Sequence, residues 1–329
     1  MKEADIRPAA LFDRYLTLCR EDAEHFFRPD EWEEIACPAC GDDGERRFVK
    51  HGFEYRECPT CDTLFASPRP TPGALGRLYT ESASARFWAS DFYRQTEDAR
   101  RELMFKPRAA TVRAIAGAAG LAEPAAVVDI GSGYGVFCEE VSKQFPRARV
   151  CGIEPSPALA AVCRQKGFDV VPRFVEEVRR DDLPVGPGPV VFTSFELFEH
   201  LHGPRRFLEQ CRSLLRPGDL LVLTTLSGTG FDIRVLWERA KAVFPPHHLN
   251  FFNPWSLERL ARACGFSDVT VTTPGRLDVD IVRNTLDGGD EVRFLRTLFR
   301  HGDDPARADL QQWLQKHRFS SHMMMVARP

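Results

Sequence analysis

Val127-Val-Asp-Ile-Gly-Ser-Gly-Tyr-Gly-Val-Phe137 is the stretch whose reading decides the fold. An apolar run from Ala125 to Val128 ends in the acid Asp129 and breaks into Gly131, Gly133 and Gly135. A segment compatible with helix, Val136 to Phe145, follows at once. This is the profile of a buried parallel strand feeding a tight glycine turn and then a helix. Glycines serve where the backbone takes positive φ, or where a ligand approaches closer than a side chain allows. A second short strand, Arg149-Val-Cys-Gly-Ile153, ends in its own acid, Glu154, 23 residues beyond Gly131. Doubly wound sheets put a carboxylate beside a bound ribose at about this distance, ~20 residues.

A dinucleotide fingerprint reads G-x-G-x-x-G and seats a pyrophosphate on the helix N-terminus. Here the glycines read G-x-G-x-G with an acid two residues before the first, which repels pyrophosphate and suits a cation. S-adenosylmethionine (SAM) carries a sulfonium and an ammonium and has no phosphate. Asp129-Ile-Gly-Ser-Gly-Tyr-Gly135 with Glu154 resembles the cofactor motif of class I SAM-dependent methyltransferases. The resemblance implies cofactor contacts at Asp129, Gly131, Ser132, Gly133, Tyr134, Gly135, Glu154 and Pro155, joined by Ser194 and Phe195. Relatives often hold the adenine with an Asp after the third strand. Here Val171-Pro-Arg-Phe174 has none, and Phe174 is the candidate for stacking on the ring.

Outward from this motif runs a regular alternation. Strands are expected at 126–130, 149–153, 168–171, 189–195 and 219–226, with helices at 135–145, 156–166, 174–180 and 204–215 between them. Such alternation specifies a parallel sheet covered on both faces. Further strands are expected at 268–273 and 323–327, with a helical stretch over 278–318. The resemblance makes this an α/β, Rossmann-like, doubly wound seven-stranded sheet whose last strand is antiparallel. It covers residues 110–274 well and the tail loosely.

Cys37-Pro-Ala-Cys40, seventeen residues, then Cys58-Pro-Thr-Cys61 match the spacing of a four-cysteine zinc ribbon. Two knuckles close a tetrahedron of thiolates and leave no position for water, so a structural Zn(2+) is expected at Cys37, Cys40, Cys58 and Cys61. Arg46–Lys50 and Phe53–Arg56 flank a His51-Gly52 turn, as a hairpin would. The basic Arg46, Arg47, Lys50 and Arg56 are nearly cancelled by Asp42, Asp43, Glu45, Glu54 and Glu57, which favours a solvated surface over an RNA grip. The six other cysteines stand singly among apolar residues and read as small buried hydrophobes.

The division expected is an N-terminal helix (1–33), the ribbon (34–70), an aromatic-rich helical linker or lid (71–109), the sheet core (110–274) and a C-terminal insertion with the final strand (275–329). In the first segment, Leu11, Tyr15, Leu16, Cys19 and Phe26 mark an amphipathic helix. A hydrophobic content of 43 %, a charged content of 28 % and a formal charge of −3 are those of a globular chain without a general pull toward nucleic acid. Met1-Lys-Glu-Ala-Asp-Ile-Arg7 has no apolar core of a signal peptide, and no run approaches the ~18 apolar residues of a membrane span. The expected setting is cytoplasmic.

In open α/β sheets ligands bind beyond the carboxyl ends of the strands. Ser194-Phe-Glu-Leu-Phe-Glu-His-Leu201 falls there and is similar to the E-x-x-E-H segment of many small-molecule methyltransferases. A helix over 232–243 leads to Phe244-Pro-Pro-His-His-Leu-Asn-Phe-Phe252, after which Asn253-Pro254 caps another helix. His200 or His248 is the expected general base, with Glu196 or Glu199 orienting it or holding substrate hydroxyls. The acceptor implied by the resemblance is a small molecule, a saccharide or sugar nucleotide. The alternatives are an RNA methyltransferase using the ribbon, or a SAM-binding adaptor without activity.

Overall fold

The computed structural model describes residues 3–286 and 292–329. The chain opens with α1 (Glu3–Ile6) and α2 (Ala9–His25), then β1 (Trp32–Glu33), β2 (Glu45–Lys50), β3 (Phe53–Glu57), β4 (Leu64–Ala66) and β5 (Arg69–Pro70). Helices α3 (Pro72–Glu81), α4 (Ala83–Phe87) and α5 (Tyr93–Arg100) follow, with π-helical turns at Trp88–Phe92 and Arg101–Phe105 leading into α6 (Lys106–Ala118). The alternating section is β6 (Ala126–Ile130), α7 (Val136–Gln144), β7 (Arg149–Ile153), α8 (Pro157–Gln165), β8 (Asp169–Val171), β9 (Val190–Phe195), α9 (Pro204–Leu214) and β10 (Leu220–Leu226). The last third holds α10 (Phe231–Leu236), β11 (Asn250–Phe251), α11 (Pro254–Ala263), β12 (Asp268–Thr272), α12 (Asp278–Thr285), α13 (Arg293–His301), α14 (Asp304–Lys316) and β13 (His322–Arg328).

The described residues form two compact units. The first comprises those of Met1–Arg94, Thr225–Leu257 and Val271–Met324, the second those of Gln95–Thr224, Glu258–Thr270 and Met325–Pro329. The second holds most of a seven-stranded sheet in the order β12-β13-β10-β9-β6-β7-β8, with the last strand of the chain antiparallel. Parallel pairing runs from β10 through β9, β6 and β7 to β8. Central β6 is buried at all five residues, whereas edge strand β12 alternates exposed and buried. That contrast follows from position: a central parallel strand is covered on both faces, an edge strand on one. After β6 the chain winds to one side through β7 and β8, then returns to the other through β9 and β10. The reversal lies between β6 and β9, where doubly wound sheets open a crevice.

The first unit is built on a four-stranded antiparallel sheet, β11-β4-β3-β2, and a short β1-β5 pair. Phe53 and Tyr55 alternate inward along β3 and pack with Leu64, Leu78 and Phe251 in one apolar cluster. A second cluster joins Phe12, Tyr15 and Cys19 of α2 to Phe92 and Phe244. Polar ties fasten the pieces. Arg69 is wholly buried, its Nε donating to the Ala66 carbonyl and its Nη2 to Asn250 Oδ1, both at 2.9 Å. Burial pushes its guanidinium down to about 9. Buried Asp278 accepts from Gln311 Nε2 at 2.7 Å and Ser320 Oγ at 2.6 Å.

Some expected elements differ. The single N-terminal helix is broken before Ala9, where Pro8 precedes α2, and the buried face is Phe12, Tyr15, Leu18, Cys19 and Asp22 instead of Leu11, Leu16 and Phe26. No α-helix covers 174–180. Two 3₁₀ turns, Val175–Glu177 and Arg180–Asp182, stand there, because the Asp182 carboxylate captures the Arg179 N–H and holds Arg179 extended. The helix expected over 232–243 stops at Leu236, where Trp237 takes φ 52° and turns its ring edge-on to Phe48, 5.3 Å between centroids. The helical stretch over 278–318 is α12, α13 and α14. Its residues 287–291, like Met1 and Lys2 of the N-terminal reading, lie outside the described residues. No helix among the described residues is long and apolar enough to cross a membrane.

Candidate functional site

The carboxyl ends of β6, β7 and β9 lie side by side in the second unit and bring most of the expected cofactor residues together. Gly131, Gly133 and Gly135 take φ of +79°, +52° and +71°, a region that favours glycine. Space differs among them. A Cβ on Gly131 would lie 3.1 Å from Leu197 and one on Gly135 3.0 Å from Cys163, whereas one on Gly133 would meet nothing within 4 Å. The loop therefore opens outward at Gly133, where a ligand can approach the backbone.

Two acids flank the loop. Asp129, at the end of β6, is buried and accepts from the Thr193 hydroxyl at 2.8 Å. Burial pushes its carboxyl up to about 7, against the Thr193 hydrogen bond and the charge of Arg108, while Glu154 pushes it further up. Glu154 reaches across the loop: Oε2 accepts from Gly133 N and Oε1 from Ser156 N, each at 2.9 Å. Its pKa is also raised by burial, with the two backbone donors opposing. Two buried carboxyls beside an open glycine turn form a site that gains by receiving a cation and hydroxyl donors. SAM offers both, so the residues fit this cofactor.

Ser194 is buried in β9, and Phe195 packs edge-on against Phe137, 4.7 Å between centroids. The Tyr134 hydroxyl is pushed up to about 12 by burial, then by Glu154 and Glu97. Pro155 is half-buried beside Glu154, and Phe174, after β8, is 55 % exposed. Glu196 follows β9 with φ 53°, an uncommon conformation for a residue with a side chain. Its Oε1 accepts from Arg108 Nη2 at 3.0 Å and from the Thr224 hydroxyl at 2.6 Å. The Arg108 guanidinium also lies 4.6 Å over the Phe195 ring. Glu199 is buried and His200 half-buried on the 3₁₀ turn Phe198–His200. Arg108, Thr193 and Thr224 are absent from the sequence reading. Their roles depend on strand register and on a helix distant in sequence, which local spacing does not encode.

The other expected base, His248, belongs to the first unit. Its Nδ1 lies 2.7 Å from the Ala242 carbonyl, which can only accept. Nδ1 therefore donates, which in a neutral ring leaves the lone pair on Nε2. Its neighbour His247 is buried, with Nε2 2.8 Å from the Ser84 hydroxyl. The Ser84 N–H in turn donates to Asp22 at 2.9 Å.

The four ribbon cysteines, also in the first unit, form one cluster with all four Sγ atoms within 4.8 Å of one another. Cys37–Cys61, Cys40–Cys58 and Cys40–Cys61 are 3.5, 3.4 and 3.6 Å apart. A tetrahedron of ~2.3 Å zinc–sulfur bonds has edges of about 3.8 Å, so the cluster fits that metal. The two knuckles repeat one backbone pattern. Gly41 N–H donates to the Cys37 carbonyl and Asp62 N–H to the Cys58 carbonyl, both at 2.9 Å, with Gly41 and Asp62 in positive φ.

Residues 98–271, just over half of the chain, match the family described as methyltransferase domain. The chain belongs to the methyltransferase-domain family. Its sheet is that of a class I SAM-dependent methyltransferase domain. Among curated relatives it is 28 % identical over 169 residues to the tRNA U34 carboxymethyltransferase of Hahella chejuensis, covering 48 % of this chain and 50 % of that one. It is 30 % identical over 154 residues to the ubiquinone biosynthesis O-methyltransferase of Xanthomonas euvesicatoria, covering 43 % and 62 %. The chain thus spans between half and two-thirds of the length of these relatives. A solved structure of the plantazolicin methyltransferase BpumL in complex with SAH aligns with TM-score 0.49 and 15 % identity, over 77 % of this chain and 93 % of that one. The methyltransferase domain so defined runs from α6 through α11 into β12 and excludes the four-cysteine cluster.

Proposed function

We propose that the protein transfers a methyl group from SAM to a small hydroxyl-bearing or carbon-acid acceptor, a saccharide or sugar nucleotide. The observation that carries the reading is the pair Asp129 and Glu154, both buried, on either side of a glycine loop that opens outward. Glu154 would accept from the ribose hydroxyls, and Asp129 would face the cationic methionine end. When bound, SAM supplies an activated methyl on a good leaving group. The protein's task is then to align the acceptor and, where needed, to take a proton. His248 holds the tautomer such a base requires, and His200 after β9 is the second candidate. Glu196, held by Arg108 and Thr224, is set to orient an acceptor hydroxyl. Glu199 is the remaining positioning candidate.

Zinc, held by Cys37, Cys40, Cys58 and Cys61, would have a structural role, since four thiolates fill its coordination sphere. An RNA acceptor, suggested by the name of one relative, is disfavoured by the ribbon itself. Arg47 pairs with Glu57 at 2.9 Å, Arg46 with Glu54 at 3.4 Å and Arg56 with Glu54 at 2.7 Å, so its cations are locally spent. Calorimetry with SAM tests the core of the proposal. Micromolar binding is expected, with radiolabel passing to a sugar nucleotide on incubation. A wild-type protein that fails to bind SAM overturns it.

A further inference from the structure

Exposed large hydrophobics standing singly need no explanation, but clusters do. Three of them gather in the first unit. Trp255 and Trp313 are each 50 % exposed and Phe319 is 38 % exposed. Trp313 and Phe319 lie parallel, with centroids 5.7 Å apart and planes inclined by 7°. Trp255 sits 6.3 Å from Phe319 at 59°. Phe319 is pinned by its carbonyl, which accepts from Phe231 N–H at 2.8 Å. Trp313 and Phe319, with Phe231, line a groove of about 600 Å³ that Asp62, Arg234, Glu57 and Thr229 also line.

The polar lining selects the ligand by its charge. Arg234 pairs with Glu57, which also binds Arg47, and Arg47 in turn pairs with Glu45 at 2.9 Å, so these four charges cancel. Asp62 adds an exposed carboxylate from the ribbon knuckle. An anion such as a nucleotide phosphate would meet these carboxylates. A cation seeking the ring faces would meet Arg234, and Arg318 already covers Trp255 at 5.3 Å. A neutral compound with an apolar face and many hydroxyls is opposed by neither. Its C–H face can rest on the rings, while its hydroxyls donate to Asp62 and accept from Arg234. The volume falls within the ~300–1,000 Å³ typical of small-molecule sites.

We propose that this groove is a binding site for a neutral saccharide, stacked on Trp313 and Phe319 and held at its hydroxyls by Asp62 and Arg234. It shares with the proposed function the choice of a saccharide and is otherwise independent of it, since it involves none of the residues of the cofactor site.

The test is calorimetric titration of the full chain with neutral tetrasaccharides of glucose, galactose, mannose and rhamnose, with uridine monophosphate and choline as anionic and cationic probes. At least one tetrasaccharide is expected to bind. Trp313→Ala and Phe319→Ala should each weaken it by about tenfold or more, as truncation of a central aromatic anchor does. Trp313→Phe should restore most of the affinity, and Asp62→Asn should weaken it less than the ring deletions. SAM titration of the same variants should be unchanged, and wild-type hydrogen-exchange protection of the β2–β4 amides shows that their first unit is folded. Absence of binding by every tetrasaccharide overturns the proposal. So does binding insensitive to both ring deletions, or selective binding of uridine monophosphate or choline that those deletions abolish. Saccharide binding by a protein that does not bind SAM would sink the methyltransferase reading and leave this one standing.

Discussion

The two units are stabilised by different means, and the contrast explains where chemistry can reside in each. The sheet unit derives its core from repetition: strand after strand of Val, Ile and Leu buried on both faces, each loop released at the same edge. Its candidate residues sit on those loops, where strained backbone such as that of Glu196 costs the core little. The ribbon unit has a small sheet and separate aromatic clusters, fastened by single buried polar ties, beside a cluster of four cysteines. A regular core tolerates the loss of any one contact. A unit fastened at points does not.

Metal removal should break this contrast most sharply. Structural zinc contributes an apparent ~10–16 kcal/mol in small domains. Chelation is therefore expected to deprotect the amides of β2 to β4 in hydrogen exchange while those of β6, β9 and β10 stay protected. Simultaneous exchange of both sets would mean that the units unfold as one. If the metal content is nil, the cysteine cluster has another use.

A change in the ribbon unit can also be felt in turnover alone. With His248 as the base, His248→Ala should lower kcat by about 10²–10⁴-fold, keep SAM affinity and erase the acidic limb of the rate profile. The same result with His200→Ala would move the base to the sheet unit. Wild-type turnover in both variants leaves alignment as the sole means of catalysis.

Glu154→Ala tests the sheet unit directly. Loss of a charged acceptor costs ~1.5–3 kcal/mol, so SAM should bind more weakly with no change in the melting of the ribbon. Unaltered affinity by calorimetry removes Glu154 from the site.

The smallest expected effect is on pH dependence. Asp129 titrates near pH 7 in the ligand-free protein because burial disfavours its charge. Its folded value lies above the ordinary 3.8, so its contribution to stability is present below that value and is lost as pH rises toward about 7. A bound cation favours the ionised form, and binding below pH 7 must therefore expel a proton. SAM affinity should fall by up to about tenfold per pH unit below about 7 and level off above it. Asp129→Asn should flatten that limb. A wild-type limb that survives in the variant assigns the proton to another group.

How much of this was legible follows the same division. The parallel strands could be read because each is an apolar run ended by a turn, and burial on both faces leaves little else for such runs to be. The knuckles and the hairpin could be read because cysteine spacing and His51-Gly52 are local signals. The helix expected over 232–243 failed where Trp237 gave up helical geometry to pack on Phe48, a partner 189 residues earlier (237 − 48). At 174–180 a carboxylate three residues ahead won the Arg179 N–H. Arg108 and Thr193 went unseen for a related reason: a helix residue meeting Glu196 and a strand partner of Asp129 are set by register. Periodicity reports which face is buried and not which neighbour lies opposite.

The small sheet also carries a consequence for the protein's birth. Its fourth strand, β11, pairs Asn250 with Phe65 and Phe251 with Leu64, so the edge of β4 waits for residues made 185 positions later (250 − 65). On a ribosome adding about 5–20 residues per second, β4 spends roughly ten to forty seconds with that edge uncovered. During this time all five parallel strands, complete at Leu226, have already emerged. The ribbon is thus translated before the parallel strands and finished after them, and an exposed strand edge at that stage is a place for a chaperone or for error.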